Sequence, residues 1–458
     1  MNRQDNSTGD DTGGDGDIFA PNQSIHAPTT PVQSDGARIA EAIADRVAME
    51  KRRKFSFRLL FVCLLSLGMG HSIMFAVLPA LSRDLGMAEY QVQAVFASSA
   101  LIWVFMAPFW GARSDIWGRR PVILIGLGGY AVSTILFATV VWAGLAGILA
   151  FGVLYPLMII TRTIYGTLGP GAMAASQAYV ADRTSRKDRT RSLANIGAAF
   201  GLGIILGSGI GGPIANAFGL ISPLFFVSFL AAISAGVVWF FLPEKTRPKE
   251  REDKPKLKFT DKRIRSFQIV SRLMGIAHAI PIQTMGFFLM DTLVLDPHEG
   301  IQYTSIALMG LSMASLFSQL VIVQRFPMPA QKLIQVGTIM PLLGALCFIW
   351  SDQFATMFFG AMLMGLGFGL ARPGLSGAAS LAVRRDEQGS ISGLVGGLGA
   401  AGHVVVPVFM FFLYRIAPQA MYVMLASLSV IILIFATLDP QIIKAQVEVD
   451  EDEGTIDL

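Results

Sequence analysis

Apolar residues fill this chain in long runs, which short polar and charged segments separate. A run of about 20 apolar residues is long enough to cross a bilayer as a helix. Hydrocarbon cannot hydrogen-bond an open backbone, so such runs must be helical. The pattern predicts twelve spans, near residues 57–81, 90–110, 121–142, 155–181, 192–217, 223–242, 266–290, 302–324, 330–350, 354–379, 390–414 and 418–438. Residues 144–153 are left over and are predicted as additional structure on the outer side.

Basic residues concentrate in alternate loops, which sets the orientation of a membrane protein. The loop between spans two and three contains Arg113, Arg119 and Arg120, and the loop 182–191 is equally basic. The loops assigned to the outside contain only Arg83 and Arg415 as basic residues. This distribution predicts a multi-pass protein of the cell membrane, inner or plasma, with both termini in the cytoplasm.

The segments that flank the spans predict the domain organisation. Ile39, Ile43 and Val47 recur every four residues after a polar, glycine-rich start, which predicts a short amphipathic helix at the membrane surface. The two sets of six spans also repeat each other weakly, as expected of duplicated bundles. The predicted divisions are a disordered region with the amphipathic helix (1–56), a first bundle (57–242), a basic linker (243–265), a second bundle (266–440) and an acidic tail (441–458).

The composition excludes several classes of protein. The chain is 53% hydrophobic and 15% charged, with a mean hydropathy of +0.56, whereas soluble domains contain about 25% charged residues. The net charge of +4 follows membrane orientation, so no nucleic-acid partner is predicted. Cys63 and Cys347 lie far apart in apolar runs, so neither a disulfide nor a metal site is expected. No phosphate-binding loop or nucleophile constellation occurs, so neither an enzyme nor a cofactor is predicted.

The loop between spans two and three reads G-x-x-x-D-x-x-G-R-R from Gly111 to Arg120. It closely resembles the signature loop of the major facilitator superfamily of transporters, and it departs at Ile116, where that family usually has a basic residue. The resemblance implies an all-α polytopic membrane protein with twelve transmembrane helices in two pseudo-symmetric six-helix bundles. Such a protein is expected to work in the lipid bilayer as a monomer. The alternative is a charged turn that only sets topology.

The same resemblance implies a conformational latch in this loop. Asp115 would bond groups at the beginning of span eleven, near 389–392, because helix N-termini attract anions. The other latch residues are Gly111, Gly118, Arg119 and Arg120.

Span five has glycines at Gly203, Gly207 and Gly211, followed by Gly212. Small residues four apart let two helix backbones approach closely in lipid. The segment resembles the antiporter signature of proton-driven drug exporters, which has proline where Ser208 stands. A plain packing ridge is the alternative. In either case the expected partner is span eight, which has small residues at 310, 314 and 318.

Four polar residues lie inside apolar spans at His71, Arg162, His278 and Arg372. In the major facilitator fold, spans one, four, seven and ten line the central cavity, and each of these residues falls on one of them. A charge at mid-span costs roughly 2.5 to 3.5 kcal/mol on insertion scales, so it usually faces a cavity. We therefore predict that the four line a substrate cavity; packing within the bundle is the alternative. His403 on span eleven ranks below them.

The exporters that this chain resembles commonly have a carboxylate within span one, and here none is present. A cationic substrate is therefore disfavoured, and proton coupling is assigned to Asp115, Asp291 or a histidine. The resemblance implies a drug:proton antiporter that exports a small amphipathic or anionic compound. A proton-coupled importer of organic anions is the alternative, and a channel or non-transporting receptor is a more remote one.

Overall fold

The computed structural model describes residues 35–184, 186–244, 261–326, 328–384 and 387–443. The predicted disordered start, most of the basic linker and the acidic tail lie outside these ranges, so the domain limits remain predictions. The chain divides by its contacts into two units, Met1–Arg52 and Arg53–Leu458. In the first unit the described residues are helical, and Ile43 and Val47 are exposed. Everything below concerns the second unit.

Every regular element of the described ranges is helical. The α-helices are α1 (Asp35–Asp84), α2 (Glu89–Trp117), α3 (Arg119–Leu145), α4 (Phe151–Leu168), α5 (Pro170–Asp182), α6 (Arg186–Phe218), α7 (Ser222–Phe241), α8 (Arg265–Leu293), α9 (Pro297–Phe317), α10 (Val323–Arg325), α11 (Ala330–Trp350), α12 (Phe354–Leu381), α13 (Gln388–Ala400), α14 (Gly402–Leu413) and α15 (Ala420–Leu438). A π-helical segment, Ser318–Ile322, joins α9 to α10.

These helices confirm the predicted fold class. Within the described ranges, eleven helical segments are long and apolar enough to cross a membrane, and a shorter apolar helix covers Gly397–Leu413. Together they account for the twelve predicted spans. Two spans are interrupted by a single residue each, and that residue keeps a right-handed helical backbone. Span four changes from α4 to α5 at Gly169, and span eleven changes from α13 to α14 at Ala401.

The prediction of additional structure at 144–153 is wrong. Helix α3 continues to Leu145 and α4 begins at Phe151, so only five residues connect them. Gly147 turns the chain here with φ of 72°, a left-handed conformation that glycine adopts without steric cost. The apolar run was too long for one helix because it contains the end of α3, a tight turn and the beginning of α4. The predicted amphipathic helix lies within α1.

Several helix contacts of the described residues join the first six spans to the last six, including those of α1 with α8. Helix α6 packs against α9, and α14 packs against α2. By contrast, α13 packs against α8 and α12 of its own half. Span eleven therefore contacts the opposite half through α14, beyond its interruption.

The spans alternate in direction, so the bundle has two ends. We call the end with Asp115, Arg119 and Asp182 the basic end, and the end with Arg83 and Asp291 the distal end.

Candidate substrate cavity and the closures at its two ends

Three histidines from three spans meet near the middle of the bundle. His71 lies on α1, His278 on α8 and His403 on α14, and all three side chains are partly buried. The ring centroid of His403 is 6.4 Å from that of His71 and 6.4 Å from that of His278. His403, which the sequence analysis ranked lowest, is therefore the central member. No group of three metal-ligating side chains with metal-site geometry occurs within the described ranges.

Two buried glutamines hold His403 in place. The side-chain amide of Gln283 donates to Nδ1 of His403 at 3.0 Å and approaches its main-chain oxygen at 3.3 Å. Gln93, on the opposite half, donates to the main-chain oxygen of Gln283 at 3.0 Å. Both Gln side chains are buried, and the Oε1 atom of each has no hydrogen-bond partner. Sequence analysis missed both residues because neutral amides do not stand out in apolar spans.

Aromatic rings form the walls around the histidines. Phe75 stacks on Phe96 at 4.4 Å and meets the ring of His71 edge-on at 5.0 Å. Phe368 contacts His278 in the same edge-on way at 5.0 Å. Such walls suit an apolar or aromatic ligand body, because ring contacts add about 0.5–1.5 kcal/mol to the burial of area.

Arg162 is buried on α4 with only 6% of its surface exposed. Its guanidinium lies 4.7 Å from the ring centroid of Tyr165 and 6.0 Å from that of Phe137. Among the described residues no carboxylate pairs with it, and its Nε atom has no hydrogen-bond partner. Cation–π contacts of about 0.5–2 kcal/mol each offset only part of the cost of this buried charge. Tyr165, three residues after Arg162 on the same helix, supplies the nearer ring.

Arg372 is exposed although it lies well inside α12. It lies one helical turn after Phe368, whose ring contacts His278, so both side chains project from the same face of α12. Pro373 follows it and cannot donate a main-chain hydrogen bond, which is typical of helices that open around a cavity. Arg372 is therefore on the face of α12 that meets the histidines, while Arg162 lies on α4 of the other half.

The glycine ridge of span five divides between two partners. A Cβ atom at Gly203 would lie 2.1 Å from the main-chain oxygen of Leu65, and one at Gly207 would lie 2.3 Å from that of Met69. Both glycines therefore press against span one, and the expectation of span eight is wrong for them. A Cβ atom at Gly211 would lie between the two spans, 3.4 Å from Ile73 of span one and 3.7 Å from Ser305 of span eight, whereas one at Gly212 would lie 3.3 Å from Ser305.

The small residues of span eight also have a different partner from the expected one. A Cβ atom at Gly310 would meet the ring of Phe358 on α12 at 2.5 Å, and Ser318 touches Gly369 of the same helix. Spacing along one helix defines a face, but it does not identify the neighbour that covers the face.

At the distal end, a network of charges joins the two halves. Arg83, at the end of α1, pairs with Asp291 of α8 at 2.5 Å and with Glu89 of α2 at 2.7 Å. The hydroxyl of Tyr414, just after α14, donates to the other oxygen of Asp291 at 2.6 Å. Tyr90 and Phe411 meet nearby with ring centroids 5.3 Å apart. Asp291, a predicted proton carrier, is thus placed in a bond between the halves.

At the basic end, the predicted latch residues bond within the first half. Asp115 pairs with Arg119 at 2.6 Å, and Arg119 also pairs with Asp182 at 2.9 Å. The main-chain N–H of Arg120 donates to Glu244 at 2.7 Å. The segment predicted to receive Asp115, near 389–392, is helical, but most of its side chains lie outside the described residues. The latch itself remains a prediction.

Two glycines of this loop differ in their surroundings. Gly118 has a φ of 96°, and a Cβ atom there would lie 3.1 Å from the carboxyl group of Glu244. Glycine is therefore required by both conformation and space. No atom lies within 4 Å of a Cβ atom built at Gly111. The present conformation therefore gives no steric reason for a glycine at this position.

The second half has its own charge cluster at the basic end. Arg263 pairs with Asp261 at 2.7 Å and with Glu387 at 3.1 Å. Hydrogen bonds from Arg263 lower the pKa of the Asp261 carboxyl and that of the Glu387 carboxyl below their ordinary values. This cluster links the beginnings of spans seven and eleven, which belong to the same half.

Known proteins agree with this architecture. The profile of the Major Facilitator Superfamily matches residues 60–407. The class B tetracycline resistance protein of Escherichia coli is 28% identical over 362 residues, which cover 76% of this chain and 85% of that protein. Major facilitator superfamily domain-containing protein 10 of Mus musculus is 29% identical over 338 residues, which cover 68% of this chain and 70% of that protein.

Solved structures agree as well. The crystal structure of the human organic anion transporter MFSD10 superposes with a TM-score of 0.61 and 20% identity, over 84% of this chain and 99% of that one. The nucleoside transporter NupG superposes with a TM-score of 0.67 and 15% identity, over 83% of this chain and 98% of that one. These likenesses support the fold, and the matched profile identifies the family. The chain belongs to the Major Facilitator Superfamily and is a multi-pass membrane transporter.

Proposed function

We propose that this protein is a secondary active transporter that exports a small amphipathic organic anion in exchange for protons. The observation that carries the proposal is the charge of the cavity. Arg162 and Arg372 lie on facing halves, and every Asp and Glu of the spans stands at or beyond a span end. At an effective dielectric constant of about 20, two unit charges about 4 Å apart attract by roughly 4 kcal/mol. An anion between the arginines would be attracted by each of them with an energy of this order, and a permanent cation would be repelled.

Alternating access would proceed between two closures. With the basic loops in the cytoplasm, as the positive-inside rule requires, the distal end faces outward. The network of Arg83, Asp291 and Tyr414 closes that outer end, so the cavity would be open to the cytoplasm in this conformation. Transport then requires the distal bonds to break and the basic ends of the halves to meet. The two bundles would rock as a monomer about the arginine and histidine cavity.

The named relatives support export of an organic anion. Several are described as tetracycline or multidrug resistance proteins, and resistance of this kind implies removal of the compound from the cell. The human neighbour is described as an organic anion transporter. The ridge from Gly203 to Gly212 adds a likeness to antiporters in particular.

A specific observation favours proton-coupled import as the second candidate. A proton on a cavity histidine adds positive charge beside Arg372, so bound proton and bound anion stabilise each other. Mutual stabilisation favours transport of the proton and the anion in the same direction. Exchange instead requires that the proton and the anion occupy the cavity in turn.

Reconstituted vesicles with an imposed pH gradient would test both candidates. The probes are 2-naphthoate, the neutral 2-naphthamide of matched size, and 2-naphthyltrimethylammonium. We expect 2-naphthoate to be transported best, and against the proton gradient if the protein is an exporter. Movement of 2-naphthoate with the proton gradient would establish import. Preference for the quaternary ammonium would refute the anion assignment.

Arg372→Gln sharpens this test. It should weaken 2-naphthoate binding at least tenfold and leave 2-naphthamide within about twofold, since one close charge pair is worth more than 1.4 kcal/mol at this dielectric constant. Lys332→Gln, which removes an exposed positive charge at the basic end, is the matched control and should change neither.

A further inference from the structure

We propose that His403 binds the coupled proton and that the side-chain amide of Gln283 responds to it. This inference rests on the proposed function, because it names the site of the coupled proton, and it applies whether the anion moves against the protons or with them. The spans contain no carboxylate within the membrane that could carry the proton. The proposal assigns this role to a histidine at the junction of the two halves.

The position of His403 connects it to movement. It is the second residue of α14, directly after the interruption of span eleven at Ala401. The interruption is pressed against span seven, because a Cβ atom at Gly402 would lie 2.2 Å from the main-chain oxygen of Gly275. Among the contacts of the described residues, α14 packs against α2 of the opposite half, and α13 packs against α8 and α12 of its own half. A change at His403 therefore acts at the junction between α14, which contacts the opposite half, and α13.

The hydrogen bonding of His403 makes the site sensitive to a proton. The side-chain N–H of Gln283 faces Nδ1, and this contact is a hydrogen bond in the tautomer in which Nδ1 accepts and carries no hydrogen. A proton on Nδ1 would turn the acceptor into a donor and would place two donors against each other. The Oε1 atom of Gln283 is buried without a partner. A half-turn of the amide would bring this unused acceptor to the new N–H, since a carboxamide has nearly the same shape in both orientations.

The charges around His403 are consistent with one proton per cycle. His71 on α1 and His278 on α8 each lie 6.4 Å from His403 by ring centroid, so a proton on either would repel a proton on His403. Arg372 on α12 and Arg162 on α4 add fixed positive charge on the two halves, which also limits the site to one proton. Of the acids on the packed helices, Glu89 of α2 and Asp291 of α8 pair with Arg83 at the distal end, where α1 also ends at Asp84, and Asp115 of α2 pairs with Arg119 at the basic end. Helix α15 contains no charged residue.

The first test is a substrate-free titration. Purified full-length protein labelled with [¹³Cε1]histidine would be followed by NMR between pH 5 and 9, and the His403 signal would be assigned by its loss in His403→Gln. We expect this signal to titrate as a single step. Gln283→Glu, which puts a fixed acceptor against Nδ1, should raise its midpoint by at least one pH unit. A His403 signal that does not titrate, or a midpoint that Gln283→Glu leaves in place, would overturn the proposal.

The second test separates coupling from translocation. In vesicles, His403→Gln should reduce proton-driven 2-naphthoate transport at least tenfold, and the 2-naphthoate exchange that remains should lose its dependence on pH. His298→Gln, at an exposed histidine, should change neither. Proton-driven transport that survives in His403→Gln excludes His403 as the coupling site even if anion transport is confirmed. If no probe is transported by the wild-type protein, the proposed function fails, while the NMR titration still decides whether His403 binds a proton.

Discussion

The two ends of the bundle use the same chemistry for different purposes. At the distal end, the carboxylate of Asp291 bonds Arg83 of the opposite half, with Tyr414 as a second donor. At the basic end, the carboxylates of Asp115 and Asp182 share Arg119 within a single half. Ion pairs therefore hold the halves together at one end and organise one half at the other. The comparison indicates that a closure is recognised by which halves its partners belong to, and not by its residue types.

The first prediction compares two glycines of α6. Gly207 contacts its own half, and Gly212 contacts the opposite half. Gly207→Leu should abolish folded, transport-competent protein, because the blocking atoms belong to the backbone of span one at 2.3 Å. Overpacking costs about 1–3 kcal/mol, and more where backbone must move. Gly212→Leu, whose Cβ atom would contact the opposite half at 3.3 Å, should fold and should weaken the distal closure instead.

Folded yield by size-exclusion chromatography, followed by transport, distinguishes these outcomes. Gly201→Leu is the control on the same helix, because nothing lies within 4 Å of a Cβ atom there. Normal folding and transport by Gly207→Leu would mean that the close contact with span one does not exist.

The second prediction breaks the distal closure itself. Asp291→Asn keeps an acceptor for Tyr414 but loses the ion pair with Arg83. Pairs that are about one-third exposed contribute up to roughly 1 kcal/mol, so we expect about fivefold more opening at the distal end. Cysteines introduced by Tyr90→Cys and Phe411→Cys, with Cys63 and Cys347 replaced by alanine, report the opening through their rate of cross-linking with a short bismaleimide.

Asp291→Asn should slow this cross-linking, by at most about fivefold, because the rate follows the fraction of closed molecules. Asp296→Asn provides the matched control, since this distal carboxylate only caps α9 by accepting from the main chain of Glu299 at 2.8 Å. If both variants cross-link at the wild-type rate, the bond between Arg83 and Asp291 does not hold the closure.

The sequence allowed the spans to be predicted, because apolar runs in hydrocarbon must be helical. Arg162, His71 and Arg372 could be found as well, because a charged or titratable group in an apolar run is conspicuous. Gln283 could not, since a neutral amide occurs in many spans and its importance comes from His403, 120 positions away. The distal closure was missed for the same reason. Arg83 and Asp291 are 208 positions apart and were assigned to loop ends with no means of pairing them.

The third prediction concerns the basic end, where the smallest effect is expected. If Asp115 serves as the latch of the outward-open state, its carboxylate must leave Arg119 and bind the beginning of span eleven. Arg119 would keep Asp182, so the loop would stay organised while Asp115 changes partner. Asp115→Asn removes the charge but can still accept a hydrogen bond from a helix N-terminus, so in the latched state it loses only the interaction with the helix dipole, about 0.3–1 kcal/mol. Transport should slow about two- to fivefold with unchanged affinity for 2-naphthoate, measured by turnover and binding on the same preparation.

Asp182→Asn disturbs the same arginine without the latch role and should have less effect on turnover. Equal slowing by the two variants would mean that Asp115 only organises Arg119, and the basic end would then have no latch at this residue.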